Sequence, residues 1–241
     1  DEDAGDGTGT IYWYSDADLV YLNENSELMF NCYYNNEEYI FEYLTDISGL
    51  ANINTSKVTY MNDMFLACES LSNISALSNW DVSSVEDMEH MFDGCSSLSN
   101  ISALSNWNVS NVTNISNLFS SCQSLSNISS LSNWNVSNVT DIVGMFEDCK
   151  NLSNISALSN WDVSSVTSMY SMFLRCASLS NISALSNWDV SSVTDMRSMF
   201  YGCTNLIDAS GINNWGTKLN ANLVYSNMFS SSTTIKPSWY V

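Results

Sequence analysis

From Leu98 to Ser124 the chain reads LSNISALSNWNVSNVTNISNLFSSCQS, with apolar side chains at Leu98, Ile101, Ala103, Leu104, Trp107, Val109, Val112, Ile115, Leu118 and Phe119. Cys122 closes the run, and the fill between these positions is mostly Ser, Asn and Thr. The pattern recurs in frame on both sides. Cys68, Cys95, Cys122, Cys149, Cys176 and Cys203 are 27 residues apart, and so are Trp80, Trp107, Trp134, Trp161, Trp188 and Trp215. A fixed period of this length marks units that bury their apolar side against neighbours and do not fold alone.

The spacing Leu98, Ile101, Ala103, Asn106 fits the pattern L-x-x-L-x-L-x-x-N, a short strand followed by a turn whose Asn satisfies exposed backbone groups. LSNISAL is therefore expected to be a strand. WNVSNVTNI alternates and then shifts phase at Val112, which predicts a second short strand or a bend. Leu118 and Phe119 lie three to four residues from Ile115 and Cys122, the spacing of one helical turn over Ser116 to Cys122.

The unit W-[DN]-V-S-[SN]-V-T-[DNS]-[MI]-x-x-[ML]-F-x-x-C-x-x-L begins at Trp80, Trp107, Trp134, Trp161 and Trp188 with little change. It resembles the repeat of the BspA-like leucine-rich surface proteins, a family first catalogued as a mycoplasma domain of unknown function. The resemblance runs from about Met29 to the C-terminus. It implies a bacterial protein, secreted or wall-attached, with a leucine-rich-type solenoid, a role in adhesion, and no catalytic residues. The expected fold class is thus a repeat solenoid, leucine-rich-repeat-like, mostly β with short helical turns and capped at both ends.

The chain divides accordingly into four parts. Residues 1–9 form an acidic, glycine-rich lead-in whose Asp1, Asp3, Asp6 and Gly7 do not have the spacing of a calcium loop. Residues 10–43 form an N-terminal β cap: a hairpin from the β-rich runs Thr10–Tyr14 and Leu19–Leu22, then Met29-Phe30-Asn31-Cys32, then the aromatic, acidic insertion Tyr33–Tyr43. The repeats occupy 44–205. Residues 206–241 hold a last degenerate unit and a tail with the chain's one proline, expected to fold back as a C-terminal cap.

Charge narrows the partners. Six Lys plus Arg against 26 Asp plus Glu give a net charge of −20, so no basic stripe exists to neutralise a phosphate backbone or an anionic lipid surface. No run of about 18 apolar residues is present to span a membrane, and any export signal or anchor is expected outside these residues. The partner expected is a protein or glycan on another cell surface, not nucleic acid.

Seven cysteines in an exported protein would suggest disulfides. In-register coils about 4.7 Å apart with parallel Cα–Cβ vectors hold Cβ atoms beyond the ~3.8 Å of a disulfide. The column is therefore read as buried free thiols, with Cys32 as the exception to watch because the insertion adjoins it. One Cys per unit and a single His exclude a zinc cluster, and no cofactor is expected. His90 shares its column with Asn117, Gly144, Ser171 and Ser198 and reads as a surface residue rather than a catalytic base.

LSNISALSNW is nearly invariant between units, whereas the positions around Met-Phe-x-x-Cys vary. Uniform columns build the scaffold, and varied columns can build one particular surface. Tyr170, Arg175, Arg197 and Tyr201 fall in two successive turns, combine hot-spot residue types, and lie in the least acidic part of the chain. They are the candidate ligand-binding residues, with no catalytic or metal-binding set beside them. Three functions fit: a non-enzymatic extracellular adhesin, a structural spacer or wall-layer rod without a ligand, or a binder of a periodic polysaccharide. Asn73, Asn100, Asn127, Asn154 and Asn181 in Asn-Ile-Ser are glycosylation acceptors only in a eukaryotic route, and are read instead as hydrogen-bonding ladders.

Overall fold

A computed structural model describes residues 20–32 and 44–241. The arm Thr10–Tyr14 and the insertion Tyr33–Tyr43 lie outside the described residues. Of the second hairpin arm, Val20–Tyr21 is a strand, and it pairs in parallel with Ile53–Asn54 of the next unit, Val20 opposite Ile53 and Tyr21 opposite Asn54.

Successive units stack in parallel and in register. Isolated parallel bridges join Tyr60 to Asp87, Asp87 to Asn114, Asn114 to Asp141, Asp141 to Ser168 and Ser168 to Asp195, and a second line joins Asn73 to Asn100 and Asn127 to Asn154. The expectation of a mostly β chain is corrected here. Among the described residues the two strands have two residues each, because three side-chain turns per unit pull the backbone out of an extended run.

At the first of these turns Asn100 Oδ1 accepts the Ser102 N–H at 2.9 Å, at the second Asn108 Oδ1 accepts from Ser110 at 3.3 Å, and at the third Asn114 Oδ1 accepts from Ser116 at 3.0 Å. Asp and Asn exchange freely in the last two columns because only the acceptor oxygen is used: Asp81 takes the Ser83 N–H at 3.0 Å and Asp87 the Glu89 N–H at 2.8 Å. The first turn feeds a 3-10 helix, Ser102–Asn106, where LSNISAL was expected to be a strand. Equivalents run over Ser48–Asn52, Ser75–Asn79, Ser129–Asn133, Ser156–Asn160 and Ser183–Leu185. Asn100, not the exposed Asn106, supplies the side-chain oxygen that accepts from the backbone.

The expected helical turn over Ser116–Cys122 is also replaced. In the preceding unit, the N–H groups of Met88, His90, Phe92 and Gly94 donate to the carbonyls of Asn114, Ser116, Leu118 and Ser120 in the next coil, at 2.9 to 3.1 Å. Those of Met91, Asp93 and Cys95 close local turns onto Met88, His90 and Phe92. Alternating the two directions requires left-handed residues, and His90 (φ 54°), Asn117 (53°), Ser171 (55°) and Ser198 (58°) occupy one such column.

The core is built of ladders. Phe30, Phe65, Phe92, Phe119, Phe146, Phe173, Phe200 and Phe229 stack with centroids 5.4 to 5.9 Å apart. Buried Trp side chains each donate from Nε1 to a Leu carbonyl one coil back, from Trp80 to Leu50 at 3.1 Å through Trp215 to Leu185 at 2.9 Å. The tail extends these ladders. Trp239 stacks on Trp215 at 6.3 Å and donates to the Ile212 carbonyl at 3.0 Å, Ile235 bridges Asp208, and Tyr240 meets Phe229 edge-on at 5.1 Å. It is a partial further coil, with Tyr240 closing the Phe column.

Candidate functional site

The period places Tyr170 beside Arg197, and the structure has the Arg197 guanidinium carbon 5.3 Å from the Tyr170 ring centroid, a cation–π stack. Arg197 is held from below by Asp195, whose two carboxylate oxygens each lie 3.0 Å from its Nε. One coil back, Arg175 Nε contacts both oxygens of Asp148 at 2.9 Å, and its Nη2 reaches Asp148 and Glu147, the latter at 2.7 Å. The Arg175 N–H donates to the Tyr201 carbonyl at 2.7 Å, so all four candidate residues belong to adjacent coils. Gly202 has φ 80°, and a Cβ there would lie 2.9 Å from Arg175 Cγ, so the glycine keeps this crossing open.

Both arginines are thus tied to carboxylates. The Arg175 guanidinium is held further above its usual range by Asp148, and that of Arg197 by Asp195. Burial raises the Glu147 carboxyl more than Arg175 lowers it. The result is two exposed tyrosines, Tyr170 at 40% and Tyr201 at 50%, set among neutralised ion pairs. The low acidity of this part of the chain therefore reflects arginines paired with carboxylates, not free positive charge. Glu147 and Asp148 are themselves among the varied positions of the sequence, and Asp148 lies one period before Arg175, yet their pairing with it was not foreseen. Residues 150–241 hold four Asp plus Glu against five Lys plus Arg, while the first 149 hold 22 against one.

His90 is half-buried in the acidic first half of the chain. Its Nδ1 lies 2.9 Å from Asp93 Oδ2 and its Nε2 3.5 Å from Glu89 Oε1, and the Asp93 hydrogen bond raises its pKa despite burial. Its Nε2 also lies 3.4 Å from Asn117 Nδ2 in the next coil. A shallow cavity of about 240 Å³ lies over Asn73, Ser75, Asn100 and Ser102, in the uniform columns and without a titratable side chain.

The cysteine column divides in two. Cys95, Cys122, Cys149, Cys176 and Cys203 are buried free thiols, and burial pushes every one of their pKa values up. Cys32 and Cys68 are bonded, with Cα atoms 5.0 Å apart, which corrects the reading of an all-thiol column. The reason is one missing residue. Met29-Phe30-Asn31-Cys32 is shorter by one than Met-Phe-x-x-Cys, and the Cys32 N–H donates to Leu66 just as Ala67 donates to Asp93 and Gly94 to Ser120. Cys32 therefore stands one position out of register, so the parallel in-register pairing that keeps the later cysteines apart does not apply to it.

A family model described as "Mycoplasma protein of unknown function, DUF285" matches residues 35–151 and again 123–239. The chain belongs to this family. No curated protein matches it. A solved leucine-rich repeat protein from Bacteroides ovatus is 12% identical over 76% of each chain, with a TM-score of 0.22, a likeness too slight to carry an argument. Among the described residues, no helix is long and apolar enough to cross a membrane.

Proposed function

We propose that this member of the family is a non-enzymatic extracellular binding module of adhesin type, a leucine-rich-type solenoid capped at both ends. It meets a protein or glycan of another cell surface through Tyr170, Arg175, Arg197 and Tyr201. The observation that carries this reading is the Tyr170–Arg197 stack with Arg175 and Tyr201 beside it, in the half of the rod that has no acidic excess. Aromatic rings and preorganised arginines lose little freedom on binding. The Cys32–Cys68 bond supports export, since such bonds persist in oxidising compartments.

The test replaces all four residues by Ser and measures binding to host cells, matrix proteins and a glycan panel. Binding is expected to be lost with an unchanged circular dichroism melt. Retained binding would move the site to the insertion Tyr33–Tyr43, and a parent protein that binds nothing would leave the spacer reading.

A further inference from the structure

The groups left uncommitted around Tyr170, Arg175, Arg197 and Tyr201 define what this face can hold. Arg175 and Arg197 each bond carboxylates through Nε and Nη2, and neither Nη1 has a partner among the described residues. The carboxylates are not sealed in, since the side chains of Glu147, Asp148 and Asp195 are 19 to 26% exposed. A free N–H donor and a carboxylate oxygen with spare lone pairs thus occur together twice, in two successive coils. Aromatic surface adjoins both. Arg197 lies over the Tyr170 ring, whereas the Tyr201 ring is half exposed and meets no other ring or cation among the described residues. The Arg175 stem passes under Gly202, the neighbour of Tyr201, where a Cβ would lie 2.9 Å from its Cγ.

Charge and apolar area separate the ligand classes. Three carboxylates face two guanidinium groups, so a phosphate or an acidic sugar finds no surplus positive charge. A protein partner would need an apolar centre, the feature of the buried core of an interface. Between residues 60 and 206, among the described residues, the exposed large apolar side chains are tyrosines only, and the aliphatic ones, Ile207, Val224 and Ile235, come later. The uniform columns nearby are Ser, Thr and Asn. A sugar ring matches both halves of this surface. Its C–H face lies on an aromatic ring, and its adjacent hydroxyls, each donor and acceptor, pair with an N–H and a carboxylate oxygen placed together.

Resting on the reading of these four residues as the binding face, we propose that its partner is an uncharged glycan. Tyr201 is the stacking platform, the Arg175–Asp148 pair holds one set of hydroxyls, and the Arg197–Asp195 pair beside Tyr170 holds a second. Because each guanidinium is already fixed by its carboxylate, little freedom is lost when the sugar arrives.

The test presents the intact chain to an array of neutral oligosaccharides with their sialylated and sulfated counterparts, and to cell-surface glycoproteins before and after enzymatic deglycosylation. Neutral glycans should bind with an affinity little changed by salt, and deglycosylation should abolish binding to the proteins. Tyr201→Phe keeps the ring and should retain binding, whereas Tyr201→Ser should weaken it roughly tenfold. Asp195→Asn is a swap that the same column already holds at Asn114, so the turn acceptor is kept while the Arg197 charge is freed. It should shift preference toward sialylated glycans. Glycoproteins bound equally well after deglycosylation, with binding still lost when all four residues are Ser, would leave the patch as the binding face and overturn the glycan. A parent that prefers sialylated or sulfated glycans, or an Asp195→Asn variant that gains nothing for them, overturns it too. Neutral glycans bound undiminished by the four-Ser variant would overturn the patch and the glycan together, as would a parent that binds none of these ligands.

Discussion

Trp134 is 4% exposed and sits between the coils of Trp107 and Trp161, donating from its indole to the Leu104 carbonyl at 3.0 Å. Replacing it with Ala removes a side chain that both neighbouring coils enclose, and a core Trp→Ala change costs about 3–5 kcal/mol. The lost hydrogen bond adds little, about 1 kcal/mol, because the Leu104 carbonyl keeps the Trp107 N–H at 3.2 Å. Trp239 holds the same ladder position at the end of the stack, half-buried with one neighbouring ring of its own kind. Its replacement by Ala should cost only about 1–2 kcal/mol. Urea melts followed by circular dichroism measure both, with the slope checked for loss of cooperativity, since a break in the middle coil interrupts two interfaces. Equal losses for the two variants, or less than about 1 kcal/mol for Trp134→Ala, would refute the nearest-neighbour account.

Denatured protein should expose five thiols without reductant and seven with it, and native protein almost none. Inserting one Ser after Asn31 restores Met-Phe-x-x-Cys and should raise the unreduced count from five to seven; a count unchanged at five would remove the register explanation. The raised pKa of His90 adds stability that is complete below the unfolded value near 6.5 and is lost as pH rises through the folded value. His90→Asn, which tolerates the left-handed backbone, should therefore lose more stability at pH 6 than at pH 9. The difference is expected to be a few tenths to about 1 kcal/mol because the pair is partly exposed. A gap independent of pH would contradict the Asp93 pairing.

The period of Cys and Trp made the stacking and the Tyr170–Arg197 contact legible, because a strict 27-residue spacing fixes which side chains lie above which. The local backbone was not read correctly, although its signals were present. Asn or Asp stands two residues before Ser at Asn100 and Asn108, and before Ser116 at Asn114, and each spacing is that of a side-chain turn that competes with a strand. Leucine-rich spacing drew the eye to Asn106 instead. The left-handed column was signalled by Gly144 and Asn117, yet His90 and Ser171 there made it look unconstrained. The disulfide followed from a count of residues between Phe30 and Cys32 that the regularity of the later units obscured.

Because each coil bonds only to the coil before and after it, whole units can be gained or lost without altering a single type of contact. Near-identical units invite such events by slippage in the coding sequence, and every gain raises the height by about 4.8 Å. Length in this architecture is thus a heritable variable, and each unit gained adds one further interface of the same kind. The acidic N-terminal half and the tyrosine-bearing C-terminal half can drift apart or together in whole steps, like marks on a ruler whose divisions never change.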